Sequence, residues 1–216
     1  MPNLLTSRQY YTGEIFKLDR NVLYSIYTPK HLMIPKGTFL EYGSLENKFF
    51  FRLRDVETET TQGLLITTLV NHNNKEYWEM SNVEVLTERK GYCSFLYRTA
   101  IKRSELPLIS DNLQTLPGSV NVWRHMRFKW KQRKYRIGFI DLNANRVFQW
   151  KKLTSEHIIW GVPLRVLNDW EEFADDDVFE SMLQYGDISK DHYDFLNTHK
   201  NYLKDRDHIR IHVEAI

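Results

Sequence analysis

At 216 residues and 26.0 kDa the chain is long enough for one sizeable hydrophobic core with at most a small appendage. Its 42% hydrophobic and 14% aromatic content excludes a disordered chain. Lys and Arg number 30 against 28 acidic residues, and a net charge of +2 excludes a strong general attraction to nucleic acid, so any basic surface must be local. A lone Cys93 excludes an internal disulfide framework and fits a reducing compartment. No apolar run approaches the roughly 18–20 residues that cross a bilayer. The start, Met1 to Gln9, lacks the basic-then-apolar order of a signal peptide. These readings point to a cytoplasmic protein with no membrane partner.

In chain order, the segment to about Tyr42 mixes aromatic and aliphatic residues with Pro29, Pro35 and Gly37, and a short strand or helix fits Val22 to Tyr27. From Asn47 the pattern sharpens: Phe49, Phe51 and Leu53 alternate with Phe50, Arg52 and Arg54, as in a half-buried strand. Gln62-Gly63 opens a β-branched-rich strand from Leu64 to Val70. After the polar turn His72-Asn73-Asn74-Lys75 a third strand runs from Tyr77 to Leu86, completing an antiparallel meander.

The period changes at Gly91. Tyr92, Phe95, Leu96 and Ala100 lie on one face of a helix that ends between Ser104 and Pro107, and Leu108-Ile109 is a short strand. Thr115 suits an N-cap, with Pro117 in the first turn of a helix whose inward side carries Val120, Trp123 and Met126. Tyr135 to Leu142 and Arg146 to Trp150 flank Asn143-Ala144-Asn145 as a hairpin. The stretch Asn168 to Asp177 is acidic, and His208 to Val213 alternates like a terminal strand. The expected division is a domain over 1–150 and a C-terminal extension over 151–216.

Three constellations carry chemistry. In the first, a strand ends at Val85-Leu86 and a helix begins after Glu88-Arg89-Lys90-Gly91-Tyr92-Cys93. That order offers an anion the N–H groups and positive dipole end of a helix. The second is Ile109-Ser110-Asp111-Asn112, at the carboxyl end of a strand, where ligands commonly bind in α/β sheets. The third is Arg124 to Arg136, where basic residues interleave with Phe128, Trp130 and Tyr135 in a pattern suited to phosphate contacts and base stacking. No HExxH or CxxC spacing, nucleophile elbow, Walker loop or dinucleotide fingerprint is present, so no metal site is expected.

Residues 83–128 resemble the acyl-CoA-binding half of the GCN5-related N-acetyltransferase (GNAT) superfamily, closest to small phage-type members. The strand–turn–helix around Gly91 and the order Ser110-Asp111, polar linker, Pro117-Gly118, apolar helix carry that resemblance. It implies an α/β fold with a mixed, mainly antiparallel sheet, splayed where acyl-CoA enters, flanking helices and a small C-terminal α+β extension. It also implies acetyl-CoA as co-substrate, held by Val85, Arg89, Lys90, Gly91, Tyr92, Cys93 and Asn112, and an amine acceptor or host protein as partner. Glu84 and Glu79 are the candidate bases. Being five residues apart on a regular strand, they are expected on opposite faces. The sequence departs from the family where Glu88 replaces the loop's Arg or Gln, and where Trp123 stands in place of the tyrosine that serves as general acid. Two alternatives stay open: a catalytically degenerate binding protein of the same fold, and a nucleic-acid-associated protein using residues 124–136.

Overall fold

Alternation and turn chemistry set the strands. In chain order these are β1 (Asn3–Thr6), β2 (Tyr24–Ile26), β3 (Thr38–Leu45), β4 (Lys48–Asp55), β5 (Thr61–His72) and β6 (Lys75–Val85). Helix α1 (Tyr92–Arg103) follows, then β7 (Leu108–Ser110), β8 (Leu113–Leu116), helix α2 (Gly118–Trp130), β9 (Tyr135–Asp141), β10 (Arg146–Gln149) and β11 (Ile209–Ala215). The computed structural model describes residues 3–6, 14–30, 32–87, 90–111, 113–116, 118–130, 135–150, 183–186, 189–191, 193–194 and 208–215. Among these residues no helix is long and apolar enough to cross a membrane.

Nine of the described strands are hydrogen-bonded in the order β10-β9-β11-β7-β6-β5-β4-β3-β2, and β1 and β8 form a separate parallel pair. The fold is therefore mixed α/β with an open, mostly antiparallel sheet, as expected. By its contacts the chain divides into two units. One comprises Tyr11–Asp111, Arg133–Arg136 and His212–Ile216; the other comprises Met1–Tyr10, Asn112–Gln132 and Ile137–Ile211.

Within the first unit, β2 to β6 form an antiparallel meander, and β7 joins β6 in parallel. Residues paired directly across strands share a face, so the ladder sorts the side chains. The back face, carrying Phe51, Leu53, Leu65 and Val83, is covered by α1, which buries Phe95, Leu96, Thr99 and Ala100. The front face, carrying Phe50, Leu64 and Ile66, is covered by Ile15 and Val22, with Phe16 and Tyr24 packed beside them. Burial on both faces explains why Phe50 and Phe51 are each only 1% exposed although neighbours along a strand.

Ions lock the front cover in place. Arg52 reaches Asp19 at 3.0 Å and Glu41 at 2.7 Å, and its guanidinium lies 3.6 Å from the centroid of the Tyr24 ring. Tyr24 donates its hydroxyl to Asp19 at 2.9 Å.

The second unit contains the β1–β8 pair, α2 and the hairpin of β9 and β10, where Asn145 takes a positive φ of 49° and Asp141 accepts the Ala144 N–H at 2.9 Å. One expectation fails here. Thr115 is not a helix cap; it lies in β8, opposite Leu5, and α2 begins at Gly118. A β-branched residue between leucines suits a strand as well as a cap, and pairing with the distant β1 decides. Most of the expected extension from 151 lies outside the described residues, and its last strand, β11, pairs with β7.

Gly63 shows how closely the layers approach. A Cβ there would stand 2.9 Å from Val85 Cγ1, 3.2 Å from Leu96 Cδ1 and 3.3 Å from the Glu84 carbonyl oxygen. Gly63→Ala should therefore lower the unfolding free energy by about 1–3 kcal/mol, as overpacking does. Urea denaturation checks this, and an unchanged midpoint would mean that α1 sits farther from the sheet.

Candidate functional site

The centre of the site is an irregularity in β6. Gly63 to Ile66 of β5 pair with Val85 to Asn82, but Thr67 pairs with Met80, so Ser81 is an extra residue, a β-bulge. The bulge inverts the parity of everything before it. Glu84 lies opposite Leu64 and Glu79 opposite Thr68, two residues of equal parity on β5. The two glutamates therefore share the front face, which corrects the expectation of opposite faces. Glu84 is buried at 8% exposure beside the front core, and Glu79 is half-buried.

Beside the bulge lies a pocket of about 130 Å³ lined by Phe50, Ile66, Thr68, Ser81 and Asn82 among others. The Ser81 hydroxyl donates to Thr68 Oγ1 at 2.7 Å, which pins the bulged side chain to the front face. On its other edge β6 meets β7 in parallel over three pairs, Trp78–Leu108, Glu79–Ile109 and Met80–Ser110. β6 runs on to Val85 beyond that register, while the chain after Ser110 leaves the sheet. Among the described residues, the half of β6 after the bulge therefore extends past the register that it shares with β7.

Helix α1 starts just past the open end of β6. Gly91 takes φ 75° and ψ 9°, left-handed geometry that glycine adopts without strain; no side chain caps the helix and its first turn has no acid. Among the described residues, a Cβ on Gly91 would meet nothing within 4 Å. Lys90 is exposed, with its ammonium 5.9 Å from the Tyr92 ring centroid. Its charge also helps hold the Asp55 carboxyl below the ordinary range, after the stronger effect of the Thr58 and Glu57 N–H groups.

Val85 stands half-buried opposite Gly63. Tyr92 is buried; Cys93 is half-buried, and burial pushes its thiol up to about 12, which disfavours the thiolate. Ser110 is wholly buried and donates to the Asp111 carbonyl at 3.1 Å, a local turn contact. Arg89, Glu88 and Asn112 lie outside the described residues.

Trp123 is fully buried, an aromatic of the α2 core. The basic–aromatic segment is only partly a surface: Arg127 is buried, with its guanidinium 5.2 Å from the Trp150 ring centroid, and the side chains of residues 128–134 are not described.

Sequence reasoning missed His212. It lies on the terminal strand, is 3% exposed and pairs with Ile109, which itself pairs with Glu79. His212 thus shares the front face with Glu79 across one strand, with its ring centroid 6.4 Å from that of Tyr77. Only the hydrophobic character of Ile209, Ile211 and Val213 around it hinted at a buried strand.

No family model and no curated protein matches the sequence. Among solved structures, the chain is similar to a GCN5-related glucosamine N-acetyltransferase region of a fungal multi-domain β-N-acetylglucosaminidase, at a TM-score of 0.29 and 13% identity. The match covers 77% of this chain and 21% of that one, so the chain spans about a fifth of the length of its structural relative.

Burial holds the His212 imidazole below its ordinary value; Arg136 acts in the same sense and Glu214 opposes. The fold thus favours the neutral ring. Its contribution to stability is complete above pH ~6.5, the unfolded value, and is lost as the pH falls below it. His212→Gln should flatten the fall in melting temperature between pH 7.5 and 5. Equal slopes in both proteins would show that the imidazole is solvated.

Proposed function

We propose that the chain is an acyl-CoA-dependent N-acyltransferase that moves an acetyl group from acetyl-CoA to an amine of a protein or small molecule. One observation carries the reading. A bulged strand runs past its three-pair parallel contact with the neighbouring strand, and a helix uncapped by any side chain starts beyond it at a left-handed glycine.

Each part suits an acyl-CoA substrate. The α1 N-terminus and Lys90 offer N–H donors and positive charge for a pyrophosphate, and the open space at Gly91 admits its close approach. A wedge opening between β6 and β7 past that contact would take the extended acyl arm along the strand backbone. Glu79 is the preferred base, because its partner Thr68 lines the bulge pocket, where an amine would sit; Glu84 is tucked beside Leu64. The neutral amine nitrogen attacks the thioester carbonyl and forms the new C–N bond, giving up one N–H proton to the carboxylate as it does so; the C–S bond breaks and the electron pair leaves with sulfur.

Trp123, buried on α2, gives the leaving sulfur no acid. That need not stop the reaction, since a thiol of pKa about 8.5 is a fair leaving group as thiolate. Catalysis would rest on positioning and on polarisation of the carbonyl by strand amides. The same residue favours the second reading, a binding protein that has kept the acyl-CoA fold and lost turnover.

The test combines calorimetry with acetyl-CoA and turnover on a panel of amines. Gly91→Asn keeps the left-handed backbone, which asparagine tolerates, but fills the space at the helix end. It should weaken acetyl-CoA at least tenfold with the melting temperature preserved. Glu79→Gln should lower turnover by roughly a hundredfold or more, the usual size of a general-base effect, and Glu84→Gln much less. Absence of acetyl-CoA binding by the parent protein would end the acyltransferase reading; binding without turnover on any amine would favour the binding protein.

A further inference from the structure

We propose a second binding site, at the opposite end of α1 from the Gly91 turn, that recognises a nucleotide through its phosphate and its base together. The site is an open cleft of about 640 Å³ lined by Tyr27, Lys30, Tyr42, Lys102, Arg103 and Tyr135 among others. Its volume falls within the range of about 300–1,000 Å³ usual for small-molecule sites.

Charge in the cleft is one-sided. Lys30, Lys102 and Arg103 face a single carboxylate, Glu105. Basic residues in the last turn of a helix ordinarily answer the negative end of its dipole. Here, however, Arg103 is turned onto the Tyr42 ring, 5.2 Å from its centroid, and Lys30 comes from the loop after β2. Among the described residues neither Lys30 nor Arg103 is paired with a carboxylate. Two such cations, Lys30 and Arg103, on a concave wall suit an anion, and a stacked guanidinium still presents its N–H edge to a phosphate.

The remaining wall is aromatic. Tyr27 and Tyr42 stand 6.0 Å apart, centroid to centroid and tilted by 49°, and both are half-exposed. Tyr135 adds a third phenol ring. Half-exposed tyrosines offer flat apolar faces on which a base can stack, with hydroxyls at the rim. Inorganic phosphate would use the cations alone, and a neutral ring compound the tyrosines alone; a nucleotide uses both. A free nucleotide and one within a single strand share this chemistry. The cleft lies at the far end of α1 from the proposed acyl-CoA contacts and does not depend on that reading.

Calorimetry with AMP, adenosine and inorganic phosphate tests the proposal. AMP should bind at least tenfold more tightly than adenosine or phosphate. Arg103→Glu should weaken AMP at least tenfold at unchanged melting temperature, with Lys30→Glu as a second variant should Arg103→Glu misfold. A short oligothymidylate binding more tightly than TMP, and losing that affinity in the same variant, would assign the site to nucleotides in a strand; equal affinities would assign it to the free nucleotide. No AMP binding at millimolar concentration, phosphate as tight as AMP, or an unaffected variant would overturn the proposal. A variant that also loses acetyl-CoA would merge the cleft with the acyl-CoA site and overturn its independence.

Discussion

The bulge at Ser81 is the constraint on which the candidate site depends. One extra residue in β6 shifts the β5–β6 register and brings Glu79 and Glu84 to the same face. It also places the Ser81 hydroxyl against Thr68, at the wall of the small front pocket. Bulges increase local twist and bend the strand that carries them. Among the described residues, β6 pairs with β7 up to Met80, the residue before the bulge, and extends past that register to Val85. A regular strand would zip further along its neighbour and close the wedge in which we place the substrate.

Keeping that arrangement requires both faces of a thin sheet to be covered. On the back, α1 supplies Leu96 and Phe95, and Gly63 removes the one side chain that would hold β5, β6 and the helix apart. On the front the cover is a single 3₁₀ turn, Glu14–Lys17, with the turn that follows it to Val22. Arg52 provides what regular structure would otherwise supply, since one guanidinium gathers Asp19, Glu41 and the face of Tyr24. Burial, and the bond to Asp19, raise the Tyr24 phenol above its ordinary value, so it remains a donor at any physiological pH. Such partly buried networks specify geometry more than they add stability, because desolvation offsets much of the attraction. Here the geometry specified is the seating of Ile15 and Val22 over Leu64 and Ile66.

Much of the fold was legible in the sequence because its strong elements obey simple periods. Residues 64–70 and 77–86 alternate or run apolar between turn residues, and Tyr92, Phe95, Leu96 and Ala100 repeat at helical spacing. What escaped was set by pairing across distance. Nothing in Met80-Ser81-Asn82 marks a bulge, since any of the three can occupy a regular strand; the register with β5 decides. Thr115 looked like a cap until β1 came alongside. β3 was hidden because Glu41, Gly43 and Ser44 dilute its apolar residues, although Tyr42 pairs with Phe51 across the back face. His212 and the cationic cleft were invisible for the same reason: Lys30, Tyr42 and Arg103 are far apart in sequence and meet only when β3 and α1 are stacked. For the proposed acyl site, the strand–turn–helix around Gly91 was legible, and the shared face of the two glutamates was not.

The central claim is that acetyl-CoA lies along the bulged half of β6 with its phosphates at the start of α1. Backbone amide chemical shifts of the isotope-labelled protein, followed through a titration with acetyl-CoA, test it most directly. The account predicts saturable shifts concentrated at residues 81–85 of β6, at Lys90 to Ser94, and at Ser110 and Asp111, with the amides of β2 and β3 little changed. A titration that leaves those amides unmoved, or moves only residues remote from the wedge, would contradict it.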